Sequence, residues 1–282
     1  MREQRTISLS LSEISTVGAS YRDDLRAYAA VGFDGIGIWE QKLGDDAADL
    51  EALRASGLCA TNCVPTVPSI LPNTVIEGPT DVEERILSLC ASMHRLARYE
   101  PDCVLCLTGP VGTREAKSAR AVVIEGLKRV AAAADDAGVW LGLEPIHASE
   151  RDALTLVTTI PEALELLDEA DVPQVGLMVD LWHVGDTPDV ERHLHENIGR
   201  ISGVHVADWF PEARPDRALP RAGLSRSQQL LAVLAEAGWT GACDIEIFGD
   251  PARLDSLWSL SVDEAARSAY EAAVQILPYE RR

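Results

Sequence analysis

The chain has 282 residues, of which 46% are hydrophobic and 25% are charged, a composition typical of a globular protein. Its 45 acidic and 25 basic residues give a formal net charge of −20 at pH 7. Because nucleic-acid binding depends largely on Lys and Arg contacts to phosphates, this charge disfavours DNA or RNA as a partner. There is no uncharged apolar run of about 18 residues, and the N-terminal stretch MREQRTISLSLSEI lacks the apolar core of a signal peptide. We therefore expect a cytoplasmic protein with no membrane partner.

Eight short apolar runs alternate with helical patterns along the chain. The strand-like runs cover residues 6–11, 34–39, 58–63, 103–109, 139–144, 175–180, 201–208 and 242–248. The helical patterns cover residues 21–32, 45–57, 81–100, 118–138, 161–170, 189–199, 226–238 and 261–277, and several of them end in glycine, as expected for C-caps.

This alternation predicts the fold class. Strands that are apolar on both faces and alternate with helices indicate a parallel sheet covered by helices. Eight such units predict an α/β protein with a (β/α)8 TIM barrel, formed as a single domain by residues 1–282. A doubly wound open sheet is the alternative. The glycines of GFDGIGIW enter a strand instead of opening a helix, so the dinucleotide-binding pattern is missing.

The six cysteines are expected to be buried free thiols of a reducing compartment. They are Cys59, Cys63, Cys90, Cys103, Cys106 and Cys243. Cys103 and Cys106 form a CxxC pair, but they fall in a strand-like run, where residues three apart point to opposite faces. We expect neither a shared metal nor a disulfide there.

Ionisable residues stand at the ends of four consecutive predicted strands, where the chemistry of a TIM barrel gathers. They are Glu144, Asp180, His205 and Glu246. Asp180 and His183 interrupt VGLMVDLWHV, residues 175–184, which otherwise reads as a buried strand. An isolated buried carboxylate is costly, and no Lys or Arg lies near Asp180 in the sequence. A bound cation would neutralise it.

The four residues predict a site for one divalent metal ion. Oxygen-rich ligation with one nitrogen suits manganese, our preferred assignment, or magnesium, while cobalt and zinc are borderline alternatives. Asp244 shares a strand with Glu246 and is an alternative ligand, but Glu246 lies nearer the carboxyl end of that strand. Asp208 is a second alternative, although its parity is opposite to that of His205.

These segments resemble the xylose-isomerase-like TIM barrels, the sugar and sugar-phosphate isomerases and epimerases that include the D-tagatose 3-epimerase and inosose dehydratase group. The resemblance covers nearly the whole chain. It is strongest over LEPIH (143–147), VDLWH (179–183), VHVADW (204–209) and DIEIF (244–248).

The resemblance implies roles for individual residues. Glu144, Asp180, His205 and Glu246 would bind one divalent metal, and His183 would contact the oxygens of the substrate. Glu144 and Glu246 would also be catalytic, one removing a proton beside a carbonyl to form a metal-stabilised enediolate and the other returning a proton on the opposite face.

One loop departs from the family pattern. Members often carry an Arg followed by a Pro-Gly-acidic-Gly turn, and this chain reads PDRALPRAGLS. Arg217 and Pro220 match, whereas Arg221 and Ala222 replace the glycine and the acid. Arg217 is our candidate for holding a substrate oxygen, with Arg214 as the alternative and Arg221 as an added cation.

Trp39 and His147 are further candidate substrate-binding residues. An aromatic face such as that of Trp39 packs against sugar C–H groups, as Trp182 and Trp209 could also do. Structural packing is the alternative for each tryptophan, and an ordinary loop histidine is the alternative for His147. Residues 64–80 contain four prolines and are expected to form a lid or a dimer contact.

We therefore expect a divalent-metal-dependent isomerase or epimerase of a small sugar, polyol or keto-sugar, for which a homo-oligomer is possible. A lyase of the same barrel, either like inosose dehydratase or eliminating from a 3-keto-glycoside, shares the first proton abstraction and stays open. A non-catalytic barrel that binds a sugar or a partner chain is the alternative from another class. The related endonucleases need a basic DNA face, which the charge of −20 disfavours.

Overall fold

The computed structural model describes residues 7–212, 214, 216–224 and 226–278. The strands are β1 (Ser8–Ser12), β2 (Gly35–Gly37), β3 (Cys59–Ala60), β4 (Asn62–Cys63), β5 (Cys103–Cys106), β6 (Leu141–Leu143), β7 (Gly176–Asp180), β8 (Ile201–Val206) and β9 (Ala242–Ile245). The helices are α1 (Tyr21–Val31), α2 (Asp46–Ser56), α3 (Val82–Leu96), α4 (Ala116–Ala137), α5 (Arg151–Leu154), α6 (Ile160–Ala170), α7 (Leu181–Val184), α8 (Val190–Glu196), α9 (Arg226–Glu236) and α10 (Val262–Val274). Thr6, at the start of the predicted first strand, and Pro215 and Ser225 of PDRALPRAGLS lie outside the described residues, as does most of the N-terminal stretch.

The strands form one parallel sheet in the order β3-β2-β1-β9-β8-β7-β6-β5-β4. β3 and β4 are separated by Thr61 alone, and they pair with β2 and β5 respectively. The Thr61 N–H donates to the Ile36 carbonyl, and the Thr61 carbonyl accepts from the Cys103 N–H. One stretch of chain thus joins both ends of the sheet, so the eight predicted strand–helix units form a barrel. The predicted (β/α)8 TIM-barrel fold is confirmed.

The local sequence explains where the main helices begin and end. Ser20 caps α1 by accepting from the Asp23 N–H, and α1 ends at Gly32, whose φ of 102° is strained for any residue with a Cβ. Buried aliphatic side chains of the strands and the inner helix faces form the main core. No helix in the described part of the chain is long and apolar enough to cross a membrane.

Two expectations from the sequence are wrong. The strand predicted over 175–180 matches β7, but residues 181–184, which read as part of the same buried strand, form a helical turn. The Asp180 carboxylate caps that turn by accepting from the Trp182 N–H at 2.8 Å. All six cysteines are free, but Cys59 is exposed and Cys90 is only partly buried, because Cys59 opens β3 beside a surface groove and Cys90 lies where α3 meets α4.

The proline-rich segment 64–80 is fastened to the barrel by a buried arginine of α3. Arg85 Nε and Nη2 donate to the Ser69 carbonyl and hydroxyl at 2.8 and 2.6 Å, and Nη1 donates to the Pro79 carbonyl at 2.9 Å. Burial lowers the pKa of Arg85. In this structure the segment forms a wall at the carboxyl end of the barrel.

Replacing Arg85 should loosen that wall. We expect Arg85→Ala to lower the free energy of unfolding by about 3 kcal/mol, because several buried acceptors lose a charged donor. Hydrogen exchange of residues 64–80 should accelerate more than exchange in the strands. Arg129→Ala is the matched control, since it removes an exposed pair with Glu83 and should cost less than about 1 kcal/mol. Equal losses in both variants would contradict this role of Arg85.

Candidate active site

The four predicted metal ligands lie together at the carboxyl ends of neighbouring strands. Glu144 directly follows β6, Asp180 ends β7, His205 belongs to β8, and Glu246 follows β9. Each is at most 4% exposed. The register places Asp180 beside His205 and His205 beside Asp244, so these three form one row across the sheet.

His205 lies among three carboxylates without a hydrogen bond to any of them. Its Nδ1 is 3.6 Å from both Glu144 Oε1 and Glu246 Oε2, and its Nε2 is 3.7 Å from Asp244 Oδ2. Both ring nitrogens, Glu144 Oε1 and both Asp244 oxygens are buried without a hydrogen-bond partner among the described residues. Buried polar atoms are normally paired, so such a group of unpaired atoms fits an ion or ordered water between them.

Arg217 supplies the cation that Asp180 lacks in the sequence. Its Nη1 lies 2.7 Å from Asp180 Oδ2 and 3.1 Å from Glu246 Oε2. Burial opposes ionisation of Asp180, but the Arg217 guanidinium outweighs it and lowers the pKa of that carboxyl. Asp180 therefore has a basic partner in the fold, although no Lys or Arg lies near it in the sequence. The two residues are 37 positions apart, and the barrel brings them together.

His183 completes the cluster from the helical turn α7. Its Nε2 is 3.1 Å from Arg217 Nη2 and 3.6 Å from Asp180 Oδ2, and its Nδ1 accepts a hydrogen bond from the His147 N–H. Burial lowers the pKa of His183 to about 3, so its ring is neutral. Glu144, Asp180 and His183 offer ligand atoms within 4.8 Å of one another, a trio that shares two residues with the predicted set.

Burial and neighbouring charges shift the pKa values of the ionisable groups in the cluster. Burial raises the pKa of Glu144 and of Asp244 to about 7. Burial opposes charging of His205, but Glu246, Glu144 and Asp244 outweigh it and raise the pKa of His205 to about 10. Arg217 and protonated His205 thus face four carboxylates, which leaves a charge deficit that a divalent ion would fill.

The cluster opens into a cavity of about 270 Å³. Glu144, His183, Arg217 and Glu246 line it, and so do Trp39, Trp182 and Phe248. The Trp39 indole donates from Nε1 to Ser12 Oγ at 3.0 Å, and Trp182 stacks on Trp209 behind it. Trp39 therefore lies where the sequence predicts a wall of the pocket.

The other candidates lie elsewhere. The His147 ring bonds Asp186 and Ser149 and is absent from the cavity lining, so its link to the site is the backbone bond to His183. Arg214 pairs with Asp216 and Asp255, while Arg221 reaches Gln275. Asp208 accepts from the N–H groups of Trp209 and Arg221, as a turn residue does. Of the three candidate arginines, Arg217 lines the cavity.

Reasoning from the sequence missed two features of the site. Asp244 was weighed only as a replacement for Glu246, whereas both point inward and Asp244 lies behind the His205 ring. The signal was the alternation of Asp244 and Glu246 on one strand. The apolar side of the cavity, which includes Leu105, Leu107 and Ile146, was missed because these residues read as ordinary strand core.

Comparisons with known proteins show the family and the fold of this chain. Residues 25–275 match the family model described as xylose isomerase-like TIM barrel. An inosose isomerase of Halalkalibacterium halodurans is 27% identical over 130 residues, which are 43% of this chain and 43% of that protein, so the match spans less than half of the relative.

Two solved structures have the same fold. The IolI protein with a binding zinc atom has a TM-score of 0.78 at 18% identity, with 96% of this chain and 98% of that chain covered. D-allulose 3-epimerase from Methylomonas sp. in complex with D-allulose has a TM-score of 0.72 at 19% identity, with 96% and 97% covered.

Removing Arg217 should destabilise the metal-free protein, and bound metal should restore part of the lost stability. We expect Arg217→Met to cost about 3–5 kcal/mol in chelator, because buried carboxylates lose their cation. Added Mn²⁺ should raise the melting temperature more in this variant than in the wild type. Arg120→Met, which breaks an exposed pair with Glu169, is the control and should change little. An unchanged melting temperature in Arg217→Met would contradict the pairing.

Asp244 should orient His205 for metal binding. Carboxylates behind a ligating imidazole fix its orientation, and their loss typically weakens metal binding about 10- to 100-fold. We expect Asp244→Asn to weaken Mn²⁺ binding, measured by calorimetry, by that factor while the far-UV spectrum stays unchanged. Unaltered Mn²⁺ affinity would mean that Asp244 has no such role.

Proposed function

The chain belongs to the xylose isomerase-like TIM barrel family, and on that basis we propose that it is a divalent-metal-dependent isomerase or epimerase of a sugar, polyol or keto-sugar. The observation that carries the proposal is the convergence of four ionisable residues: Glu144 and Glu246 line the cavity, and Asp180 and His205 are buried next to them. The names of the inosose isomerase and of the D-allulose 3-epimerase bound to its sugar support a small polyhydroxylated substrate.

The residues present fit a divalent ion. Glu144, Asp180, His205 and Glu246 would hold it, since they combine carboxylate oxygens with one imidazole and several of their atoms lack partners. Manganese is our preferred ion, with magnesium, cobalt and zinc as alternatives, and the zinc-binding IolI structure supports an ion in this fold. When bound, the ion withdraws electron density from substrate oxygens and acidifies the adjacent C–H group.

The protein's own groups would carry out the proton transfer. Glu144 and Glu246 both line the cavity, so one can take the proton from the carbon beside the carbonyl and the other can return one to the opposite face. In the metal-free protein, burial raises the pKa of Glu144 to about 7. Metal ligation lowers the basicity of Glu144, so the pKa of the substrate C–H group must also fall for the proton to be transferred.

Other residues would position the substrate. His183 lines the cavity, where its neutral ring lies beside the Arg217 guanidinium and can contact a substrate oxygen. Arg217 can hold a second oxygen. Trp39 and Trp182 offer ring faces to sugar C–H groups.

Exchange of a substrate proton with solvent tests the proposal. We expect the Mn²⁺-loaded protein in D₂O to incorporate deuterium beside the carbonyl of at least one of D-allulose, an inosose and a 3-keto-glucoside. Glu246→Gln should lower kcat/KM for exchange by about 10²–10⁴, the usual contribution of a general acid or base. Glu236→Gln, on the surface of α9, is the matched control and should be unchanged. A dehydrated or cleaved product would indicate a lyase instead, and no exchange with any substrate would contradict the proposal.

Metal uptake should release protons. His205, with its pKa of about 10, and Glu144, with its pKa of about 7, must give up protons to act as ligands. Apparent Mn²⁺ affinity should therefore rise with pH, and calorimetry in buffers of different protonation enthalpy should show proton release.

Protonation of His205 also makes the stability of the metal-free protein depend on pH. Without metal, the raised pKa of His205 stabilises the fold fully below its ordinary value of 6.5, and this contribution is lost as the pH rises towards about 10. The increase in melting temperature on adding Mn²⁺ should accordingly be larger at pH 8.5 than at pH 6. An affinity that is independent of pH would contradict this prediction.

A further inference from the structure

One side of the cavity is apolar. Val64, Leu105, Leu107 and Ile146 are buried, with Ile76 and Leu154 packed against them, and this set forms a hydrophobic cluster separate from the main core. All six line the cavity. We call them the apolar wall.

The apolar wall and most of the polar end come from different parts of the barrel, and the two meet after β6, where Glu144 and Ile146 are two residues apart. The wall comes from β5, from the segments that follow β4, β5 and β6, and from α5. Asp180, His205 and Glu246 come from the neighbouring strands β7, β8 and β9. A ligand whose reacting end lies among the carboxylates therefore extends the rest of its structure along the wall.

A hydroxyl group fits poorly against this wall. A hydroxyl that leaves water without a new hydrogen bond costs free energy. Outside the polar cluster of Glu144, His183, Arg217 and Glu246, the described residues that line the cavity include one charged side chain, Glu150, and the indole N–H groups of Trp39, which already donates to Ser12, and of Trp182. A free sugar with a hydroxyl on every carbon would leave most of its distal hydroxyls unpaired there.

We propose that the substrate is an α-hydroxyketone or keto-sugar that carries an apolar substituent, an aryl or short alkyl group, against the apolar wall. The reacting oxygens lie at the polar end, between Glu144 and Glu246, and the substituent displaces water from the wall. This inference rests on the proposed function for the reacting end of the substrate, and it adds the apolar substituent to that function.

A matched pair of ligands separates the two parts. Methyl and phenyl 3-keto-β-D-glucoside have the same reacting end and differ only in the apolar group. Binding to the Mn²⁺-loaded protein is measured by calorimetry, and deuterium incorporation from D₂O is measured separately. We expect the phenyl compound to bind about tenfold or more tightly than the methyl compound, because its ring buries additional apolar surface.

A double variant at the edge of the cavity tests whether the apolar substituent binds at the apolar wall. Val75, which is 59% exposed at the edge of the cavity, and Ile76 can be changed together with little demand on folding. Val75→Ser/Ile76→Ser should reduce the phenyl preference at least about fivefold. Leu254→Ser, at a 95% exposed leucine that does not line the cavity, is the control and should keep the preference.

The outcomes distinguish the two proposals. A phenyl preference with exchange supports both, and a phenyl preference without exchange supports the apolar substituent while contradicting the isomerase. Equal binding of the two compounds, tighter binding of the methyl compound, or binding of neither overturns the apolar substituent. A phenyl preference that survives in Val75→Ser/Ile76→Ser, or that falls equally in Leu254→Ser, overturns the assignment to this wall.

Discussion

The structure depends on compensating four carboxylates that are buried at one end of a barrel. Glu144, Asp180, Asp244 and Glu246 surround His205 and Arg217 in a buried region. Burying an ion is expensive unless a partner compensates it, and the protein supplies fewer positive charges than negative ones. The shifted pKa values of Glu144 and His205 follow from this imbalance. A divalent ion would relieve it.

The barrel provides this concentration of charge through strand register. Asp180, His205 and Asp244 form one row because β7, β8 and β9 are adjacent and parallel. Room for Asp244 comes from Gly37 in β2, where a Cβ would lie 2.2 Å from Asp244 Oδ2. A glycine in the DGIGIW strand is thus required by the site. The fold and the site constrain each other through close contacts of this kind.

Much of this could be predicted from the sequence, because strand ends and helix caps are local signals. Alternating apolar runs predict the eight units, and the carboxyl ends of the strands identify where Glu144, Asp180, His205 and Glu246 lie. The contact between Arg217 and Asp180 could not be predicted, since it depends on how a loop after β8 folds back over β7. The helical turn at His183 could not be predicted, because Leu181, Trp182 and Val184 suit a strand as well as a helix. The apolar wall combines residues from several separate loops, and no single segment carries its pattern.

The central claim is that the carboxylate cluster is a metal site, and elemental analysis tests it most directly. The protein is purified without chelator, incubated with Mn²⁺, desalted and compared with Asp180→Asn. We expect about one divalent ion per chain in the wild type and loss of that ion in the variant. No metal in the wild type after incubation would contradict it and would leave Arg217 and protonated His205 as the only cations of the site.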